Sequence, residues 1–301
     1  MLEEILVEKD HPLSVRLREI AVGFRVEGHL FHAIGDPDPD SPFVEANAFY
    51  QWEKASDWCH EYLSAAIESA LLWADFHAPL NFGPSDRVRL RPRPIHGLAR
   101  SCLESASQAI WVMTAEEPRQ LSVRHLRLVN SDFVEQRKAY GLQSKRIETA
   151  KRQLERFESR YTSTFEKAEV TKAVTYRSTV REAAVAMGVE PDEAEFLWRL
   201  ASGATHGKRW AALEINEVEL GEEYEKGQHR VARTPSLEAL VAVLSLAYRA
   251  VQFGVAVFAV RSGADLQACR RSAMLEVARE MPVDPEREGE RQAILDLLSD
   301  P

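Results

Sequence analysis

The stretch from Leu237 to Val260 constrains this chain more than any other. It is apolar for longer than a strand can use, yet it carries Glu238, Arg249 and Gln252. Those polar groups argue against a lipid-facing span of ~20 residues, because hydrocarbon would leave them unsolvated. A helix buried on most sides fits the same pattern, and burying one helix requires others around it. The rest of the sequence supplies them. Leu13 to Ala33 reads as an amphipathic helix, closed by Gly35 and the turn-rich Asp36-Pro-Asp-Pro-Asp-Ser-Pro42. Phe43 to His77 reads as one long helix with Trp52, Trp58 and Trp73 as core anchors. In Ser144 to Val170, Ile147, Ala150, Leu154, Phe157, Tyr161 and Phe165 recur three or four apart, a stripe that suits either a core or a dimer seam.

Further helices are expected over Ile95–Thr114, Ser122–Tyr140, a segment capped by Ser178 and ending at Gly188, Pro191–Gly207, Thr234–Arg261 and Asp265–Glu280. Trp210 to Arg233 loses helical spacing and leaves room for one small β-hairpin. The expected fold is therefore an all-α helical bundle. Residues 1–78 form an N-terminal helical region, 79–94 a Pro/Arg-rich linker, 95–281 the larger bundle and 282–301 an acidic tail.

Composition removes several function classes. With 38 Lys+Arg against 47 Asp+Glu, the net charge of −9 is wrong for a protein that coats nucleic acid indiscriminately. The three cysteines, Cys59, Cys102 and Cys269, have neither disulfide-framework nor metal-ligand spacing. The acidic start Met1-Leu-Glu-Glu lacks the basic region of a signal peptide, so a cytoplasmic protein with no membrane contact is expected. Neither phosphate-loop signature nor a Gly-x-Ser-x-Gly elbow occurs. Glu27, His29 and His32, or Asp57 with His60, could be recruited to a metal. The Glu-x-x-His units of a di-iron bundle are missing, however, so no metal and no cofactor are expected.

The chemistry worth weighing lies in Leu197-Trp-Arg-Leu-Ala-Ser-Gly-Ala-Thr-His-Gly-Lys208. Seven helical residues turn about 700°, so Arg199 and His206 fall on one face, with Ser202 between them. Ala201, Gly203 and Ala204 are small enough to admit another chain or a ligand. Gly207 suits a helix C-terminus, which puts His206 in the last turn. Three other histidines have an arginine at similar spacing: His32 from Arg25, His96 from Arg89 or Arg91, and His125 from Arg119. Only His206 adds the small-residue face. Arg87, Arg89, Arg91 and Arg93 alternate, which in an extended strand forms a comb of guanidiniums for phosphate, or a linker paired with the protein's own acidic surface.

The Arg-x6-His pattern, with the upstream Arg100-Ser-Cys-Leu-Glu104 and Trp111, resembles the Arg-x(4–6)-His signature of HEPN-domain proteins over about residues 95–262. The resemblance implies a compact helical bundle, a homodimer pairing two such motifs, and metal-independent endoribonuclease chemistry or RNA binding in toxin or phage-defence systems. It also implies RNA as substrate and a cognate antitoxin or defence partner. Arg199 would stabilise the phosphorane, His206 transfer protons, and Ser202 orient the ribose or phosphate. Lys208, Arg209, Arg100 and Glu104 would form the substrate-binding set, with Glu104 a natural partner for Arg199. The residue after Arg199 is Leu200, where active members often carry a polar one. The competing expectation is a non-catalytic helical interaction or regulatory protein, in which Arg199 and His206 are structural.

Overall fold

The computed structural model describes residues 5–7, 12–77, 88–141, 144–282 and 288–299. The fold is all-α, with two short two-stranded sheets. Three helices precede the second strand: α1 (Pro12–Ala33), α2 (Pro42–Asn47) and α3 (Ala55–His77). The strands β1 (Ile5–Val7) and β2 (Val88–Leu90) pair antiparallel, with Leu6 opposite Arg89. Then come α4 (Pro92–Met113), α5 (Pro118–Tyr140), α6 (Ser144–Tyr161), α7 (Lys167–Val170), α8 (Tyr176–Ala186), α9 (Pro191–Thr205) and α10 (Arg209–Glu214). A hairpin of β3 (Asn216–Glu225) and β4 (Gln228–Pro235) leads to α11 (Leu237–Ser262), α12 (Leu266–Glu280) and α13 (Glu288–Ser299).

The long apolar segment is α11. It is the one described helix long and apolar enough to cross a membrane by length and composition, and half of its most apolar window is buried in the bundle. Val243, Ala247, Ala250 and Val255 are fully buried against the surrounding helices. Its two arginines have protein partners. Arg249 donates to the Met187 carbonyl at the end of α8, and Arg261 donates to the Met113 and Ala115 carbonyls at the end of α4. Both guanidiniums thus satisfy helix C-terminal carbonyls that would otherwise lack partners. Gly254 lets α11 approach closely, since a Cβ there would lie 2.8 Å from Leu63 and 3.5 Å from Ile110.

Residues on both sides of the 79–94 segment share this core, from Leu17, Ile20 and Phe24 of α1 to Ala273 of α12. Several expected boundaries shift, each for a local reason. The 43–77 run is two helices because Asn47 caps the second: its Oδ1 accepts from the Ala55 amide and its Nδ2 donates to Ser56 Oγ. Trp73 is buried as expected, whereas Trp52 is exposed beneath the Arg160 guanidinium. Pro92 and Pro94 begin a helix instead of forbidding one, since first-turn amides need no intrahelical partner. The arginine comb therefore does not form: Arg93 is helical, Arg91 caps α4, and Arg87 lies outside the described residues. Thr175, not Ser178, caps α8, with Ser178 answering from the third position. The 144–170 stripe splits into α6 and α7. Its Ala150, Phe157, Tyr161 and Phe165 are buried, the three aromatics packing with Tyr50, Val123 and Leu126 in a second cluster. The tail folds at 288–299 as α13.

One core residue carries an electrostatic cost. Glu27 of α1 is buried, one carboxylate oxygen has no partner, and desolvation raises its pKa to about 7 against the opposing pull of Arg270 and Gln252. The folded state holds this proton while the unfolded chain, with an ordinary carboxylate pKa of 4.5, releases it. Stability contributed by the neutral form is therefore present below pH 4.5 and is lost as the pH rises towards 7, to a limit of roughly 3 kcal/mol. Glu27→Gln is expected to raise the melting temperature at pH 8 and leave it nearly unchanged at pH 4, as read by thermal unfolding at both pH values.

Candidate functional site

The site lies where α9 crosses α4. Pro191 starts α9, with Asp192 and Glu193 in its first turn, where the helix dipole favours acids. His206 is the C-cap, and Gly207 follows at φ +67°, a left-handed conformation that costs glycine nothing. The Lys208 amide closes the end on the Gly203 carbonyl at 2.8 Å, a Schellman-type bond. Three contacts fix α9 antiparallel to α4. Gly97 admits Thr205, whose hydroxyl would be 3.5 Å from a Cβ at that position. Trp198 donates through Nε1 to Glu104 Oε1 at 2.9 Å. Between these, Arg100 donates through Nη1 to His206 Nε2 at 2.8 Å and through Nε to Glu104 Oε1 at 2.8 Å.

The chemistry of that chain is directional. A guanidinium stays charged and can only donate, so His206 Nε2 must accept, placing the ring hydrogen on Nδ1. Glu104 is largely covered and takes bonds from both Arg100 and Trp198, which fixes the guanidinium plane. His206 itself is exposed, as are Lys208 and Arg209, neither of which has an ion-pair partner among the described residues. The Ser202 hydroxyl is half-buried and makes no hydrogen bond among the described residues. A neutral imidazole lone pair, a fixed cation and two unneutralised cations thus share one helix end. Such a set can bind an anionic oxygen and move a proton.

Arg199 belongs to a different cluster. Its Nε donates to Glu195 Oε1 at 2.8 Å, and Arg177 and Arg181 donate to the same carboxylate at 2.7 and 2.8 Å. The expected Arg199–Glu104 pair is therefore replaced. The spacing of four between Glu195 and Arg199 along α9 favours the local partner, while Glu104 is taken by Arg100 and Trp198. Nor is the small-residue face open. A Cβ on Gly203 would meet Ala211 at 2.8 Å and Trp210 at 3.0 Å, so α10 of the same chain fills that space. Leu200, Ala204, Ala211 and Ile215 make a small separate core there.

Two of the three competing histidines are structural, while His32 is exposed on α1 beside a cavity that Arg25 also lines. His96 is buried and bonded to the Pro92 carbonyl, with burial lowering its pKa. His125 is buried against the Glu53 carbonyl, and desolvation holds it near 4. Among the described residues no three His, Cys, Asp or Glu side chains gather as they would around a metal ion. A scan of family models, curated proteins and solved structures finds no match to this chain. The functional reading therefore rests on the geometry.

Glu195 offers a test of the second cluster. Hydrogen bonds from Arg177 and then Arg199 hold its carboxyl down at about 2, against 4.5 when unfolded. Its stabilising effect is present above pH 4.5 and disappears as the pH falls towards 2. Glu195→Gln is expected to lower the melting temperature at pH 7, with the difference from the parent protein vanishing near pH 2.

Proposed function

We propose that this protein is a metal-independent endoribonuclease of HEPN-like type, acting on RNA at the α4–α9 corner. The observation that carries the reading is the exposed Arg100–His206 hydrogen bond, backed by Glu104 and flanked by the unpaired Lys208 and Arg209. Arg100 takes the phosphate-stabilising role that the Arg-x6-His pattern assigns to Arg199. A phosphate oxygen arriving at Arg100 competes for the Nη1 hydrogen now given to the imidazole. His206 Nε2 is then free to accept the proton of a ribose 2′-hydroxyl as that oxygen attacks phosphorus. The 5′-oxygen departs on the opposite side and needs its own proton donor. In a homodimer, the imidazolium of a second copy would supply it. Ser202 would hold a non-bridging or ribose oxygen, and Lys208 and Arg209 would add local attraction in a protein of net charge −9. Arg199 would touch a flanking phosphate without joining the reaction. A cytoplasmic toxin or phage-defence role, restrained by a cognate antitoxin, follows the resemblance of the motif.

A second reading is a non-catalytic helical interaction protein. Its support is that Arg199 is drawn into the Glu195 cluster tying α8 to α9. The two readings separate on variants with purified protein and single-stranded RNA. His206→Ala and Arg100→Ala are expected to lower kcat at least about a hundredfold, the usual scale for removing proton transfer or charge stabilisation. Arg199→Ala is expected to change mainly KM and its salt dependence. Cleavage unaffected by His206→Ala would overturn the ribonuclease reading.

A further inference from the structure

A cavity of about 310 Å³ opens between α4, α5 and the start of α8, lined by Gln108, Leu128, Ser131, Glu135, Val174 and Tyr176 among others. It lies on the same side of α4 as the corner described above. Gln108 follows Glu104 by four residues and Arg100 by eight, about 12 Å along the helix. Tyr176 lines the cavity at the start of α8. Partial burial raises the pKa of its hydroxyl, the charges of Glu104, Asp132 and Glu135 add to the rise, and Arg100 opposes it, so the ring is within electrostatic reach of the Arg100–Glu104 pair.

The lining has the features of a site for a flat, hydrogen-bonding heterocycle. Leu128 is buried and Val174 half-buried, giving an apolar floor. Tyr176 is exposed on one side and offers an aromatic face. The Gln108 amide and the Ser131 hydroxyl are half-buried and make no hydrogen bond among the described residues. An amide presents a donor and an acceptor side by side, the complement of a base edge. Glu135, paired with Lys138, is the one charged residue among those lining the cavity, and no Lys or Arg lines it, so an anionic group finds its partner at Arg100 and an uncharged ring suits the cavity. Sequence-selective RNA recognition works on such splayed bases, stacked on an aromatic ring and bonded along their edges.

We propose that this cavity is a nucleobase pocket, in which a base next to the phosphate held by Arg100 stacks on Tyr176 and is read by Gln108 and Ser131. The identity of the ligand rests on the RNA reading above; the pocket and its unused polar groups do not. The test is calorimetric binding of the four nucleoside 3′-monophosphates, which requires no turnover. The parent protein is expected to separate the four by about fivefold or more, the scale of one good polar contact. Tyr176→Ala should weaken the preferred monophosphate about tenfold, while Tyr176→Phe, which keeps the ring, should stay within about twofold. Gln108→Ala should level the differences between bases. Equal binding of all four, unchanged by Tyr176→Ala and Gln108→Ala, would overturn the pocket, as would no binding at millimolar concentration. His206→Ala separates the two ideas: cleavage independent of His206, with base discrimination intact, removes the reaction and supports the pocket.

Discussion

The contact between α4 and α9 organises everything this protein presents to solvent at that corner. α4 is held from within by α3 and α11, and Gly254 brings α11 close enough for Leu63 and Ile110 to meet its backbone. Arg261 locks the far end of α4 by bonding its terminal carbonyls. With α4 fixed, Gly97 and Glu104 set the approach of α9, one by having no side chain and one by accepting from Trp198. Arg100 is left between these two anchors, and the C-cap of α9 falls beside it. Packing sets the helix end that carries the imidazole, and the Arg100 hydrogen bond sets the ring's orientation.

Charge is partitioned in a way that the net value conceals. Two buried or largely covered glutamates hold arginine around α9, and they do so differently. In one, Glu195 gathers Arg177, Arg181 and Arg199 and binds α8 to α9. In the other, Glu104 holds a single arginine, and Lys208 and Arg209 remain unpaired. An anion arriving at the first must compete with a carboxylate already bonded three times. At the second it meets a guanidinium whose remaining partner is an uncharged ring, an easier exchange.

Much of the architecture was readable in the sequence because helical spacing and interrupted apolarity are local signals. Leu237 to Val260, with Arg249 inside it, already required a protein-buried helix. The end of α9 was equally legible, since Gly207 and the preceding small residues have few other uses. What the sequence hid was partner choice. Spacing put Arg199 and His206 on one face but could not show that Glu195, a turn earlier, would claim the arginine. Nor could it show that α10 would cover Gly203. The cation beside His206 comes from a helix more than a hundred residues away, a contact that only the fold creates. The start of α4 at Pro92 was missed because two prolines read as a break, although the first helical turn tolerates both. The cavity beneath Tyr176 has no local signature at all, being built from three helices.

The hydrogen bond from Arg100 to His206 is the central feature of the corner, and nitrogen-15 NMR of the histidine ring tests it without assuming any activity. In the neutral ring the hydrogen is expected on Nδ1, with Nε2 as acceptor, and a measurable change is expected at Nε2 in Arg100→Ala. A hydrogen found on Nε2, or ring signals identical in the two proteins, would contradict it.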